Sequence, residues 1–439
     1  MKTAIDFYLY MTIILTWALN KGDVILTDLL NIAITLLAGL MLTRLTKLLR
    51  LNLPDVTVYL LTGLLVGPYC LGRLGIPGIG FSSFEQIANL NVISTVALGF
   101  IAFSIGAEFK LDKISKSGKA AVTIGILQAL SATILVDAAL LVLHFILGND
   151  ILPIPVVLTL GSIASATAPA ATLMVVKQYK AKGPVTDLLL PIVALDDAVG
   201  LIIFAVSFGI AQAFNGGVLS FVTVIVNPLF EIICSILLGS ILGFILTKLE
   251  KLFFSSDHRL SMTICFIFLA IALSSLEFNI GTLKISFSSL LVLMMLGTIF
   301  CNTSEFSEEL FDKSDHWTNS LYVAFFVLSG AQLDLAVFTQ VTSLLIGLVY
   351  ILMRCAGKYL GSSLPAKAMK LDSNIVRYLG ITLFPQAGVA LGMVNTAQAL
   401  GTDMGALIRN VILLSVLIYE LVGPSLTKMS LQKAGEIHQ

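Results

Sequence analysis

The sequence predicts an all-α membrane protein of thirteen transmembrane helices, arranged as two inverted six-helix repeats that each contain one broken, crossing helix. Three observations predict it. Of 439 residues, 57% are hydrophobic and 12% charged, against roughly 25% charged in an ordinary soluble domain. Apolar runs of the roughly 17 to 25 residues that cross a hydrocarbon core recur between polar breaks. Two of those runs are interrupted by proline, at Pro169 and Pro385, which stand 216 residues apart.

The runs lie near residues 28–48, 55–72, 87–108, 118–147, 152–176, 184–212, 219–248, 257–278, 283–303, 313–336, 339–361, 375–400 and 405–428. A fourteenth candidate, Phe7 to Leu19, is short for a span and lacks the small-residue cleavage site of a signal peptide. It reads as an extra N-terminal helix within residues 1–27. Shifting the first six spans (28–212) by about 215 to 230 residues overlays them in order on the last six (257–428). The span 219–248 is left over, inside a linking segment 213–256. An odd number of spans between two halves inverts the second relative to the first, the architecture of many secondary transporters.

Loops rich in Lys and Arg stay cytoplasmic. Arg44, Lys47 and Arg50 fall on one side, with Lys110, Lys113, Lys116 and Lys119, then Lys177, Lys180 and Lys182, then Lys248, Lys251 and Arg259. Lys313, Lys367, Lys370, Arg377, Lys428 and Lys433 share that side, whereas the opposite loops carry only Lys21, Arg73 and Lys284. The expectation is a multi-pass cell-membrane protein with a cytoplasmic C-terminus, residues 429–439 forming a short tail and no soluble domain following.

A formal net charge of zero gives no sign of a nucleic-acid partner, and the lipid bilayer is the environment. The five cysteines (Cys70, Cys234, Cys265, Cys301 and Cys355) are scattered and odd in number, as small buried hydrophobes are. The four histidines are far apart, with no metal-binding spacing, so neither a structural metal nor a cofactor is expected.

The span 184–212 holds Ala194-Leu195-Asp196-Asp197-Ala198-Val199-Gly200, two adjacent carboxylates near mid-membrane. Each ionised aspartate there costs roughly 2.5 to 3.5 kcal/mol on insertion scales, a cost that points to function. A buried carboxylate whose titration is set by a like neighbour and a nearby cation can cycle a proton, and an adjacent pair titrates as a coupled unit. The alternative is a structural pair capped by basic partners.

The preceding span contains Ser165-Ala166-Thr167-Ala168-Pro169-Ala170-Ala171-Thr172. Pro169 removes a backbone donor and disfavours helix at Ala168, so the helix should break there. A second break is expected in span 375–400, at Leu383-Phe384-Pro385-Gln386-Ala387-Gly388-Val389. Breaks at membrane depth occur where backbone lines a cavity or is buried in protein, and their free carbonyls can hold ions. The substrate site should lie where the two breaks cross.

Three basic residues lie inside predicted spans: Arg354, Lys358 and Arg409. Arg354 and Lys358 are four apart and share one helical face, so either can neutralise an aspartate. Lys358 can instead snorkel to the cytoplasmic surface. Asp137 and Glu420 are read as structural membrane-level acids.

With these residues in view, the chain resembles the cation:proton antiporter superfamily, in the paired-aspartate branch that includes bacterial sodium/proton antiporters. The resemblance covers nearly the whole chain. It rests on Leu53-Pro54-Asp55 leading to Gly63-Leu64-Leu65-Val66-Gly67-Pro68, the Thr167-Ala168-Pro169 break, Asp196-Asp197, Pro385-Gln386-Ala387-Gly388 and Glu420-Leu421-Val422-Gly423-Pro424. It implies a homodimer in which a core domain, carrying both broken helices and the aspartates, moves as an elevator against a scaffold. It implies further that Asp197 is the main ion and proton site, while Asp196 pairs with a basic residue on the helix before the second break. Arg354-Cys355-Ala356-Gly357 and Lys358-Tyr359-Leu360-Gly361 both fit the family's basic-x-x-Gly pattern, and Arg354 is the expected partner. A lysine there would let both aspartates exchange protons; an arginine, always charged, would leave one cycling carboxylate.

The expected activity is therefore secondary antiport. A dehydrated Na+, or K+ or Li+, binds Asp197 with help from Asp196, Thr167 and exposed carbonyls, and protons displace it. No enzymatic activity is expected. The alternative is a sodium-coupled organic-anion symporter of related broken-helix fold, which needs a larger cavity and no aspartate pair. An intramembrane aspartyl protease takes its acids from separate helices, and a channel would need a filter repeat absent here.

Overall fold

The computed structural model describes residues 24–437 apart from 50, 52, 76–79, 108, 110, 216–225, 277, 281–282, 334 and 336–340. The run Phe7 to Leu19 lies outside the described residues. In chain order the helices are α1 (Val24–Leu48), α2 (Asp55–Val66), α3 (Phe84–Asn89), α4 (Asn91–Gly106), α5 (Leu111–Leu147), α6 (Ile154–Ile163), α7 (Pro169–Gln178) and α8 (Pro184–Phe214). There follow α9 (Asn227–Glu250), α10 (Ser256–Ser274), α11 (Ser289–Thr303), α12 (Ser307–Ala331), α13 (Val341–Ala368), α14 (Ser373–Thr382), α15 (Gly388–Ala397) and α16 (Thr402–Lys433).

Among the described residues the strands are confined to one short hairpin, and the all-α class expected from the sequence holds. Strands β1 (Phe278–Ile280) and β2 (Leu283–Ile285) pair antiparallel between α10 and α11, Asn279 opposite Lys284. The cause is local, since Phe-Asn-Ile and Leu-Lys-Ile alternate apolar and polar residues with the period of a strand. Each expected apolar run otherwise falls on one helix or a consecutive pair. Among the described residues, eight helices are long and apolar enough to cross a membrane, and four apolar helices are shorter. Two of those four, α6 and α15, are short because the expected spans that contain them are split into ten-residue halves, α6 with α7 and α14 with α15.

The chain forms two compact units. One gathers α1 to α3, the start of α4 and Trp317–Leu335. Its α2 and α12 touch backbone to backbone: a side chain at Gly63 would collide with the Val327 carbonyl, and one at Gly330 with that of Leu60. Small residues are what let membrane helices approach this closely, which gives the Gly63 motif a structural reason.

The second unit, Leu98–His316 with the chain from Ala336 onward, holds the paired aspartates. In it one order of elements occurs twice: a long helix, a broken helix and a long helix, first as α5, α6–α7, α8 and then as α13, α14–α15, α16. The long helices α5 and α13 lie in contact along their length. Their approach is closest at Gly357 and Gly361, where a Cβ would sit 2.5 Å from Ala132 Cα and 2.5 Å from Gln128 Cα respectively.

Candidate functional site

Both breaks form where proline was expected to force them. Pro169 is the first residue of α7, where its missing N–H is harmless, and Ala168 before it is extended (φ −92°, ψ 103°). Pro385 stands in the irregular stretch between α14 and α15, and its ring packs against Gly423 of α16. The two breaks meet directly, the Ala168 N–H donating to the Pro385 carbonyl at 2.9 Å.

A helix that stops leaves its last carbonyls unpaired, a serious cost when they are buried. Here four consecutive carbonyls at the end of α6 each accept from a buried side chain. Gln386 Nε2 donates to Ile163 O at 2.9 Å. Arg354 Nε donates to Ala164 O at 3.0 Å and its Nη2 to Ala166 O at 2.6 Å, while Nη1 reaches across to Phe384 O of the other break at 2.6 Å. Lys358 Nζ donates to Ser165 O at 2.5 Å. The Arg354 guanidinium also lies over the Tyr419 ring, 4.6 Å from its centroid, and the Tyr350 hydroxyl bonds Gln386. Helix α13 thus braces both breaks at once.

Lys358 does a second thing. Its ammonium donates to Asp196 Oδ2 at 3.1 Å and to the Thr167 hydroxyl at 2.8 Å, and the side chains of Lys358 and Asp196 are both 0% exposed. Thr167 in turn donates to Asp196 Oδ2, and Gln128 of α5 donates to Oδ1. Asp196 is therefore held by three buried donors from α5, the α6–α7 break and α13. A buried ion pair persists only with such extra hydrogen bonds, because desolvation otherwise outweighs the attraction.

The ion pair thus falls on Lys358 and not on Arg354. The reason is geometric: one helical turn separates the two, and it is Lys358 that lies level with Asp196, while Arg354 lies level with the carbonyls of both breaks. A planar guanidinium fork suits several carbonyls at once, whereas an ammonium acts as a compact point charge. The expectation that the carbonyls at the break stand open to an ion also changes, since residues 163–166 all have side-chain donors. Lys358 does not snorkel to a surface, and Arg409 is exposed.

Asp197 follows Asp196 in α8 and Gly388 begins α15, but the side chain of Asp197 and the surroundings of Gly388 lie outside what the structure describes. Asp137 packs against Gly161 of α6, with Oδ1 buried and unbonded, and Glu420 is buried on α16. Gln128 was not anticipated, although an isolated amide in a long apolar run is a signal by itself. Neither was Glu436. Its carboxylate accepts from the backbone N–H of Val185 at 2.6 Å and of Thr186 at 2.8 Å, at the start of α8, the helix that carries both aspartates.

The oxygens around the Lys358 ammonium (Ser165 O, Thr167 Oγ1 and Asp196 Oδ2) form the hard, all-oxygen set that suits a group I cation. A family model described as sodium/hydrogen exchanger, transmembrane, matches residues 32–433. The K(+)/H(+) antiporter subunit KhtU of Bacillus subtilis is 24% identical over 385 residues, covering 87% of this chain and 88% of that one. The Na(+)/H(+) antiporter NhaS4 of Synechocystis is 22% identical over 391 residues, covering 87% and 92%. The sodium proton antiporter MjNhaP1 of Methanocaldococcus jannaschii shares the fold, with a TM-score of 0.72 and 18% identity over 93% of this chain and 98% of that one.

Proposed function

This chain belongs to the sodium/hydrogen exchanger family, and from that membership we propose that it is a secondary antiporter exchanging a monovalent cation for protons at Asp196 and Asp197. Two relatives are named for K(+)/H(+) and Na(+)/H(+) exchange; Na+ is the cation put forward, with K+ and Li+ the alternatives.

The observation that carries the reading is the buried Lys358–Asp196 pair, 3.1 Å apart, at the crossing of the two breaks. The ammonium rests among oxygens as a dehydrated alkali cation would, so Lys358 acts as a tethered stand-in. When a cation arrives at Asp197 and Asp196, it competes with the ammonium for Asp196, Thr167 and the Ser165 carbonyl. When protons take the carboxylates, the cation leaves. One site that cannot hold both ions couples their movements in opposite directions. Lysine, unlike arginine, can release its proton in a dry site, so the Asp196–Lys358 pair supplies a second proton position beside Asp197. On this account two protons cross per cation and exchange moves net charge.

In this reading the repeats are residues 28–212 and 257–428, with 213–256 linking them and 429–439 a cytoplasmic tail. The protein works in the cell membrane as a homodimer, and a core body bearing both broken helices moves as an elevator. Pro169, Pro385 and Gly388 keep the crossing open to side chains, and Arg354 holds it rigid.

The test is dissipation of an imposed pH gradient in proteoliposomes on adding Na+, Li+ or K+. A response to at least one cation supports antiport and ranks the substrates. Verified reconstitution with no response to any cation overturns it, and sodium-driven uptake of organic anions is then the reading to examine.

A further inference from the structure

Helix α7, the second half of the first broken helix, ends on the side that basic loops mark as cytoplasmic. Its end is tied to two different neighbours. Tyr179, just past the helix, lies under the Lys428 ammonium of α16 at 4.7 Å. Lys177, in the last turn, instead bonds both carboxylate oxygens of Asp315 on α12, at 2.7 and 2.6 Å. The Ser104 hydroxyl of α4 donates to Oδ1 of the same carboxylate at 3.0 Å. Lys177, Asp315 and Ser104 all lie in the second compact unit.

Ser104 and Asp315 belong to a stiff block. Beside them Phe103 of α4 stacks on Phe311 of α12, ring centroids 4.6 Å apart, and packs on Phe300 of α11. Helices α4 and α11 touch backbone to backbone, since a Cβ at Gly106 would collide with the Met294 carbonyl and one at Gly297 with that of Phe103. Lys177 thus joins a broken helix to a close-packed block of α4, α11 and α12. The exposure of the pair decides what it can do. The side chains of Lys177 and Asp315 are 28% and 35% exposed, and ion pairs open to water are worth little net, so this one can be made and broken in every cycle. The wholly buried Lys358–Asp196 pair parts only where another ion replaces a partner.

We propose that Lys177 and Asp315 form a cytoplasmic latch, closed while the ion site is shut off from the cytoplasm and opened each time the core body carries the site toward it. The proposal rests on the antiport reading and on the moving core within it. Leu173, one turn before Lys177 on the same face of α7, is 1% exposed, as a residue behind a closed latch is. A latch stabilises the closed state alone. Removing it therefore shifts the population toward the open state and moves the apparent affinities on the two faces in opposite directions.

Two measurements test it. Leu173→Cys, made in full-length protein with its five native cysteines replaced, should react with a membrane-impermeant thiol reagent from the cytoplasmic face about two- to fivefold faster when Asp315→Asn is added. The charge-reversed pair, Lys177→Asp with Asp315→Lys, should return the rate to that of Leu173→Cys alone. A rate that Asp315→Asn leaves unchanged, or one that the reversed pair does not restore, overturns the latch. In proteoliposomes, Asp315→Asn should lower the apparent KM for the cation on the cytoplasmic face and raise it on the external face, each about two- to fivefold. A fall in kcat with both KM values unchanged marks a merely structural pair and also overturns the proposal. Labelling is read by mass and needs no transport, so it decides the latch even where the wild type shows no antiport.

Discussion

The ammonium of Lys358 lies 3.1 Å from the carboxylate of Asp196, with both side chains wholly buried. Removing one partner of such a pair strands a charge in the protein, at a cost of about 3 to 5 kcal/mol. Lys358→Met should therefore lower thermal stability in detergent sharply, and Lys358→Met with Asp196→Asn should recover a large part of the loss. A double variant no more stable than Lys358→Met would mean that the two residues do not act as a pair.

Arg354 makes a different prediction from its neighbour one turn away. Arg354→Lys keeps the charge but forfeits the fork that holds Ala164, Ala166 and Phe384 together. Hydrogen bonds to charged groups are worth about 1.5 to 3 kcal/mol each, so this variant should lose roughly that amount or more. Its dependence of exchange on membrane potential should persist where exchange survives. Lys358→Arg should show the reverse pattern, keeping more stability and losing the potential dependence, as currents on planar membranes would reveal.

The close contact of α5 and α13 predicts a contrast among glycines. Gly361→Val pushes against Gln128 Cα and should cost about 1 to 3 kcal/mol by overpacking, while disturbing the Gln128 bond to Asp196. Gly392→Ala, where nothing lies within 4 Å of the added carbon, should leave exchange near the wild-type level. Thermal melts and flux assays on the two variants check both halves.

Competition between protons and cations fixes the sign of the pH dependence. Protonated carboxylates do not hold the cation, so its apparent affinity should fall as pH falls. Once the titrating groups are mainly protonated, the slope should be about tenfold per pH unit for one proton and about hundredfold for two. The account predicts the steeper slope in the wild type and the shallower one in Lys358→Arg, as isotopic cation uptake across a pH series would show.

Glu436 offers a test far from the breaks. Its carboxylate bonds the N–H groups of Val185 and Thr186 and the Thr186 hydroxyl, and α8 has no side-chain cap from the residue preceding it. Glu436→Ala should destabilise the protein by about 0.5 to 2 kcal/mol, the usual worth of a helix cap. A thermal shift within error of zero would contradict this.

The legible parts of the site were those with strong local signals. Pro169 and Pro385 dictate backbone within a residue or two, and Asp196-Asp197 stands out because carboxylates in an apolar span are costly. The choice between Arg354 and Lys358 was not legible. Both meet the same pattern, and one turn of helix decides which lies level with Asp196 and which with the carbonyls of the breaks. The helices themselves were visible in hydropathy, but the hairpin at Phe278–Ile285 was absorbed into the neighbouring spans because its alternation covers so few residues. Gln128 and Glu436 act through partners 68 and 250 residues away in sequence, separations at which no periodicity carries information.

The central claim is that the paired aspartates carry both ions, and its most direct test is cation-driven proton flux in proteoliposomes of wild type, Asp197→Asn and Asp196→Asn. The account predicts cation-dependent flux in the wild type, its loss in Asp197→Asn, and in Asp196→Asn a residual exchange that no longer responds to membrane potential. Wild-type flux retained in Asp197→Asn would place the ion site elsewhere and contradict the account.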